Sequence, residues 1–205
     1  MIAIIDYGIG NLKSVHNAVR YIAPKTPSMV SSDPDFINKA DKVIFPGQGA
    51  MPDCIKELDK RGIRDVVIES AKKKPFLGIC LGLQLLFEKS EEGDVDGFGI
   101  FEGRIKKFQP NKQVRIKIPH MGWNKVHQSK NHPMWNNINP GSSFYFVHSF
   151  YFECEKEENI LATSNYGGEF TSSIYANHIL GTQFHPEKSH GNGVQLLKNF
   201  AELEI

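Results

Sequence analysis

Residues 75–87 read PFLGICLGLQLLF, a strand-like run, a glycine-flanked cysteine and a helix-like run in direct succession. The apolar run 75–79 has the length of a buried strand. Cys80 follows it directly, and then comes an apolar run of helical length. Gly78 and Gly82 flank the cysteine, giving Gly-x-Cys-x-Gly, the cysteine counterpart of the nucleophile elbow in which a sharp strand-to-helix turn exposes the reactive side chain. Glycines serve there because side chains would clash in so tight a turn. At a helix N-terminus the local positive potential favours thiolate over thiol. The competing reading is a buried structural cysteine, because free cysteine packs as a small apolar residue. The stretch alone leaves both open.

Composition narrows the class. A chain of 205 residues suits a single domain spanning 1–205, and its hydrophobic (40%) and charged (23%) fractions fit a soluble globular protein. A formal net charge of +1 gives no footprint for nucleic acid. There is no apolar run long enough for a membrane span, and MIAIIDYG lacks the features of a secretory leader, so a cytoplasmic protein with no membrane partner is expected. Cys54, Cys80 and Cys154 are odd in number and widely spaced, which argues against both a disulfide framework and a zinc knuckle.

Outward from the elbow, short apolar runs at 2–5 and 42–45 alternate with helical patterns. Leu12, Val15, Val19 and Ile22 recur at helical spacing behind Asn11 as N-cap. Asp33-Pro34 opens a short helix, and further helices are expected near 51–60 and 63–73. This alternation predicts an α/β fold, a doubly wound, mostly parallel sheet of flavodoxin-like type flanked by helices. The loop at Gly8 and Gly10 carries only part of a dinucleotide fingerprint, with lysine at 13. Pro46-Gly47-Gln48-Gly49 lacks the Lys-Ser/Thr of a P-loop. Both this loop and Cys80 fall at carboxyl ends of strands, where such sheets bind ligands. Beyond an acidic, glycine-rich surface turn at 91–99, strand-like runs at 101–108, 114–118, 144–152, 160–163, 170–176 and 178–184 predict an antiparallel extension around the parallel core. A final helix at 191–203 carries Val194, Leu197 and Phe200 on one face.

A cysteine nucleophile needs a base and a group to orient that base. The run at 178–184 delivers His185, followed by Pro186-Glu187. In extended backbone positions 185 and 187 point the same way, so Glu187 can fix the imidazole tautomer. A metal site of His185, Glu187 and His190 is the rival reading, weakened by histidine spacing that suits neither helix nor strand. A strand end with a satisfied histidine is the structural alternative. An oxyanion hole would draw on the backbone N–H of Leu81 and on Gly47 and Gly49, each such donor supplying roughly 3 kcal/mol of transition-state stabilisation. Gln84, four residues after Cys80, either shares its helix face and contacts substrate or faces solvent. HMGWN (120–124) and FYFVHSFY (144–151) carry no mechanism by themselves, and His148 and Trp123 read there as packing residues.

Taken together, residues 6–11, 46–49, 78–82, 120–124, 144–151 and 183–189 resemble, in order and spacing, the class I (triad-type) glutamine amidotransferases. More narrowly, DYGIGN, HMGWN, FYFVHSF and QFHPEKS are similar to the glutaminase subunits that serve histidine biosynthesis. The resemblance spans essentially the whole chain. It implies that Cys80 attacks the side-chain amide of glutamine, that His185 moves the proton and that Glu187 orients His185. It puts Gly47, Gly49, Leu81, Gln84, His148 and Ser149 where the family binds glutamine or builds the oxyanion hole. Asn11, Trp123, Tyr145 and Lys188 fall where it forms the subunit interface and ammonia path. No cofactor and no metal are implied. The implied partner is a (β/α)8-barrel cyclase that forms a heterodimer with this chain. That cyclase consumes the ammonia to make imidazole glycerol phosphate and an aminoimidazole carboxamide ribotide. Gln48 and Phe150 depart from residues common elsewhere in the family.

Overall fold

The structure is a computed structural model that describes residues 1–109 and 116–204. Its first half alternates strand and helix, with an edge strand, β2, beyond those expected: β1 (Ile2–Ile5), α1 (Leu12–Ile22), β2 (Ser28–Ser31), α2 (Pro34–Lys39), β3 (Lys42–Gly47), α3 (Met51–Lys60), α4 (Arg64–Lys73), β4 (Phe76–Cys80) and α5 (Leu81–Gln84). The second half holds β5 (Phe87–Ser90), β6 (Val95–Asp96), β7 (Phe101–Lys107), β8 (His120–Lys125), β9 (His127–Gln128), β10 (Ser143–His148), β11 (Phe150–Cys154), β12 (Ile160–Asn165), β13 (Glu169–Ala176), β14 (Ile179–Thr182) and α6 (His190–Glu202).

One eight-stranded sheet in the order β2-β1-β3-β4-β14-β13-β12-β9 organises the molecule. Strands β2, β1, β3, β4 and β14 pair in parallel. Every residue of β1, β4 and β14 is buried, as befits strands covered on both faces. The caps follow the sequence: the Asn11 side chain accepts the Ser14 N–H, and Asp33 accepts that of Asp35.

Four expectations change. The antiparallel extension does not merely wrap the core, because β13, β12 and β9 continue the main sheet past β14. The run 144–152 is two strands, not one: β10 pairs with β8, whereas β11 pairs with β7 in a separate four-stranded sheet, and the chain changes sheet at Ser149. The expected strand at 114–118 lies partly outside the described residues, and 116–118 form none.

The helix after Cys80 is a single turn. Every residue from Leu81 to Phe87 is buried, so the segment has no polar face to turn to solvent. Its carbonyls are captured by the returning chain: Phe98 N–H donates to Leu85, and the N–H groups of Ile100 and Phe101 to Leu86. The helix dipole expected behind Cys80 is correspondingly that of a single turn.

Candidate active site

Cys80 ends β4 with φ 53° and ψ −110°, a backbone that L-residues adopt only at a cost of about 1–3 kcal/mol. The tight elbow rests on glycine. Gly47 of β3 stands opposite Cys80 in the parallel register. A Cβ on Gly47 would meet the Gly82 nitrogen at 2.5 Å, and one on Gly82 would meet the Phe45 carbonyl oxygen at 1.8 Å. Gly47 therefore works by close approach beneath the turn. Gly49, at φ +91°, faces the crevice together with Gln48.

Strand β14 runs parallel to β4 and brings His185 to the same end of the sheet. The His185 N–H donates to the Tyr145 carbonyl at 2.9 Å, and the Ser189 hydroxyl donates to the His185 carbonyl at 2.6 Å. The backbone does not stay extended here as expected. Pro186–Lys188 form a 3-10 turn, because the Lys188 N–H closes on the His185 carbonyl. The turn still folds Glu187 back, and its Oε1 lies 2.9 Å from Nδ1 of His185. Nε2 is buried with no hydrogen-bond partner of normal geometry among the described residues, and Cys80 is the neighbour that acts on the ring.

Burial pulls the His185 imidazole down, but the negative charge and hydrogen bond of Cys80, followed by those of Glu187, outweigh it and push the histidine up to about 10. A sulfur beside an imidazole held in this way is the arrangement of a cysteine nucleophile with its base.

A crevice of about 380 Å³ opens over this pair, lined by Gln48, Gly49, Cys80, Glu92, Pro119, Val147, His148, Ser149, Phe150, His185 and Lys188. A larger groove of about 560 Å³ on the four-stranded sheet, among Glu88, Ser90, Glu91, Asp96 and Arg104, is lined by neither cysteine nor histidine. Of the residues expected at the site, Gly49, Cys80, His148, Ser149, His185 and Lys188 line the crevice together. Gly47, Leu81 and Glu187 support it from behind. Gln84 neither faces solvent nor lines the crevice: it is 4% exposed, and its amide donates to the Phe150 carbonyl and to Gln183.

Trp123, Tyr145 and Lys188 gather beside the crevice. Tyr145 takes Trp123 edge-on at 6.0 Å and lies under the Lys188 ammonium at 6.0 Å. Trp123 also stacks on the exposed His190 at 5.0 Å. Among the described residues no three His, Cys, Asp or Glu side chains converge as a metal site. Asn11 serves as the cap of α1.

His148 is not a packing residue alone. Burial, with smaller contributions from His120 and His185, lowers it to about 3 against the opposing pull of the Phe150 carbonyl, so it stays neutral. Sequence reasoning missed Glu92, which sat in an unremarkable acidic turn. Its carboxylate accepts the Met51 N–H at the start of α3 and reaches the crevice, and burial raises its pKa. It also missed Gln183, although the residue stands inside the QFHPEKS stretch.

Comparison with known proteins places this geometry. Residues 3–203 match the family described as glutamine amidotransferase class-I. The chain is 50% identical over 204 residues to the imidazole glycerol phosphate synthase subunit HisH of Nitrosospira multiformis, covering 97% of this chain and 96% of that one. It is 48% identical to the protein of the same name from Neisseria meningitidis serogroup B, covering 97% of each. Among solved structures, a glutamine amidotransferase superposes with a TM-score of 0.73 at 16% identity over 98% of both chains. A putative GMP synthase subunit from Thermoplasma acidophilum superposes at 0.70 with 19% identity, over 97% of this chain and 90% of that one. With a family match across nearly its whole length and half its residues shared with such relatives, the chain belongs to the class-I glutamine amidotransferases.

Proposed function

We propose that this chain, as one domain over 1–205, is the glutaminase subunit of an imidazole glycerol phosphate synthase and works through Cys80, His185 and Glu187. The sulfur of Cys80 attacks the side-chain amide carbon of glutamine, and the resulting oxyanion is met by backbone N–H groups at Leu81 and the Gly47–Gly49 loop. His185 Nε2 gives its proton to the leaving nitrogen, ammonia departs and a glutamyl thioester remains. His185 then takes a proton from water, whose oxygen attacks the thioester, and glutamate leaves with the sulfur restored. Glu187 keeps Nε2 aimed at the reaction by accepting Nδ1–H. Glu92, Gln48, His148 and Ser149 surround the space for the amino-acid end of the substrate, and the Glu92 carboxylate suits its ammonium group.

Ammonia freed into water would be protonated and lose its nucleophilicity, so direct transfer to a second subunit is favoured. The reading assigns that role to a (β/α)8-barrel cyclase docked over Trp123, Tyr145 and Lys188, with Asn11 near the contact. Both proteins would work in the cytoplasm, and no helix among the described residues is long and apolar enough to cross a membrane.

The observation that carries the reading is the meeting of Cys80 with the Glu187-held His185 in one crevice. Its test is glutamate release from glutamine, with and without the cyclase and its nucleotide ligand. Strong stimulation by the pair supports both halves. Hydrolysis without stimulation keeps the triad and removes this partner, and no hydrolysis in either case overturns the enzyme reading.

A further inference from the structure

A continuous chain of polar groups, half-buried at Asn124 and buried at His120, His148, Gln84 and Gln183, runs along the crevice wall and ends on the candidate nucleophile. His148 Nδ1 lies 2.7 Å from the Phe150 carbonyl, which can only accept, so Nδ1 carries the proton. The neutral ring then offers Nε2 as an acceptor, 2.9 Å from Nδ1 of His120, which must be the donor. His120 Nε2 in turn accepts from the Asn124 amide at 3.3 Å. On the other side, the same Phe150 carbonyl accepts from Gln84 Nε2 at 3.0 Å. That NH₂ group can only donate, so Gln183 turns its Oε1 to it at 2.9 Å. The amide of Gln183 has one face left, and its Nε2 stands 3.6 Å from Cys80 Sγ. A backbone carbonyl that cannot donate thus fixes the orientation of two amides and leaves an N–H aimed at sulfur.

We infer that Gln183 is a further functional residue: a fully buried donor whose N–H stabilises the negative charge on Cys80 Sγ, held in that sense by Gln84 as a positioning residue. The inference rests on Cys80 being the nucleophile. Gln183 is 0% exposed, so no water competes for the bond. Its backbone is pinned as well, the N–H donating to the Ser172 carbonyl at 2.9 Å. Hydrogen bonds to a charged group are stronger than neutral ones, and a thiolate accepts where a thiol accepts weakly, so the donor favours the ionised form.

The test uses Gln183→Met, which keeps length and volume but has no donor, and Gln84→Met, which frees the Gln183 amide to turn over. Alkylation of Cys80 by iodoacetamide is followed against pH without substrate, and steady-state glutaminase activity is measured in the assembled complex. Thermal unfolding checks that each variant folds. For Gln183→Met the alkylation profile should move up by about one pH unit and kcat fall by about 10–100-fold with KM nearly unchanged. For Gln84→Met the alkylation profile should move the same way by less, and this variant carries the test if the first does not fold. A native profile in a folded variant overturns the inference. Cys80→Ala separates the two readings: full activity in it removes the nucleophile itself, whereas a dead Cys80→Ala beside a native-like Gln183→Met removes only the role of Gln183.

Discussion

Nδ1 of His185 lies 2.9 Å from Oε1 of Glu187, and both side chains are only 2% exposed. A carboxylate so placed can only accept, so it holds the proton on Nδ1 and keeps Nε2 for Cys80. Glu187→Gln keeps the shape but presents an amide that is free to turn its NH₂ to the ring and select the wrong tautomer. Glutamate release should fall on the order of 10²–10⁴-fold in kcat with KM little changed. A loss confined to KM would mean that Glu187 binds substrate instead.

The charge state of His185 depends first on Cys80 among the influences that raise it. Removing the sulfur with Cys80→Ala should lower the imidazole titration midpoint, read by ¹⁵N chemical shift. The effect on stability has a definite sign. A histidine raised in the folded state contributes stability fully below its unfolded value of about 6.5 and loses it as pH rises through about 10. Melting temperature should therefore fall across that window in the native chain and fall less in Cys80→Ala. Equal slopes would show that the two groups are not coupled.

The buried pair His120 and His148 carries the opposite sign. Burial lowers them to about 4 and about 3, so between pH 6 and 5 the unfolded chain binds protons that the folded chain does not. Stability should drop by about 1.4 kcal/mol per pH unit for each histidine in that interval. Urea unfolding at pH 6 and pH 5 measures it, and His120→Gln should remove close to one proton from the slope. A flat profile would mean that the pair is already charged or already exposed.

Glycine positions divide sharply by what surrounds them. A methyl group on Gly82 would fall 1.8 Å from the Phe45 carbonyl, forcing β3 away from the elbow, whereas one on Gly191, inside α6, meets nothing within 4 Å. Gly82→Ala should cost about 1–3 kcal/mol or more, on the order of other overpacked cores, and displace the Gly47–Gly49 loop, so kcat is expected to fall too. Gly191→Ala should be neutral or stabilise by up to about 1 kcal/mol through reduced freedom of the unfolded chain. Parallel thermal melts of the two variants check both.

Much of the site was legible because the relevant signals are local. Gly78-Ile79-Cys80-Leu81-Gly82 is a turn whose geometry needs those glycines, and His185-Pro186-Glu187 places a histidine next to a carboxylate that can orient it. What escaped depends on long-range pairing. The break at Ser149 follows from β10 and β11 finding partners in different sheets, which no local pattern records. The one-turn length of α5 follows from carbonyls captured by residues 98–101. Glu92 stayed invisible because nothing in an acidic turn says which carboxylate folds inward, and Gln183 because its partner Gln84 is 99 residues away.

Trp123 and Met121, 48% and 62% exposed on β8, are among the few large apolar side chains left open to solvent. Exposed aromatics of this kind are where association energy concentrates. Trp123 is also braced from both sides, edge-on to Tyr145 and stacked on His190, so little ordering cost remains when a partner docks against it. Its role in packing this chain is correspondingly small. Trp123→Ala should therefore weaken binding to the partner subunit by about 2 kcal/mol or more, roughly 30-fold in Kd, while leaving the pH profile of Cys80 alkylation in the isolated chain unchanged. Calorimetric titration of the two subunits reads the first effect and iodoacetamide labelling the second. Undiminished affinity would move the docking face away from β8. A shifted labelling profile would mean that Trp123 shapes the crevice itself, through Tyr145 and the His185 N–H that the Tyr145 carbonyl holds.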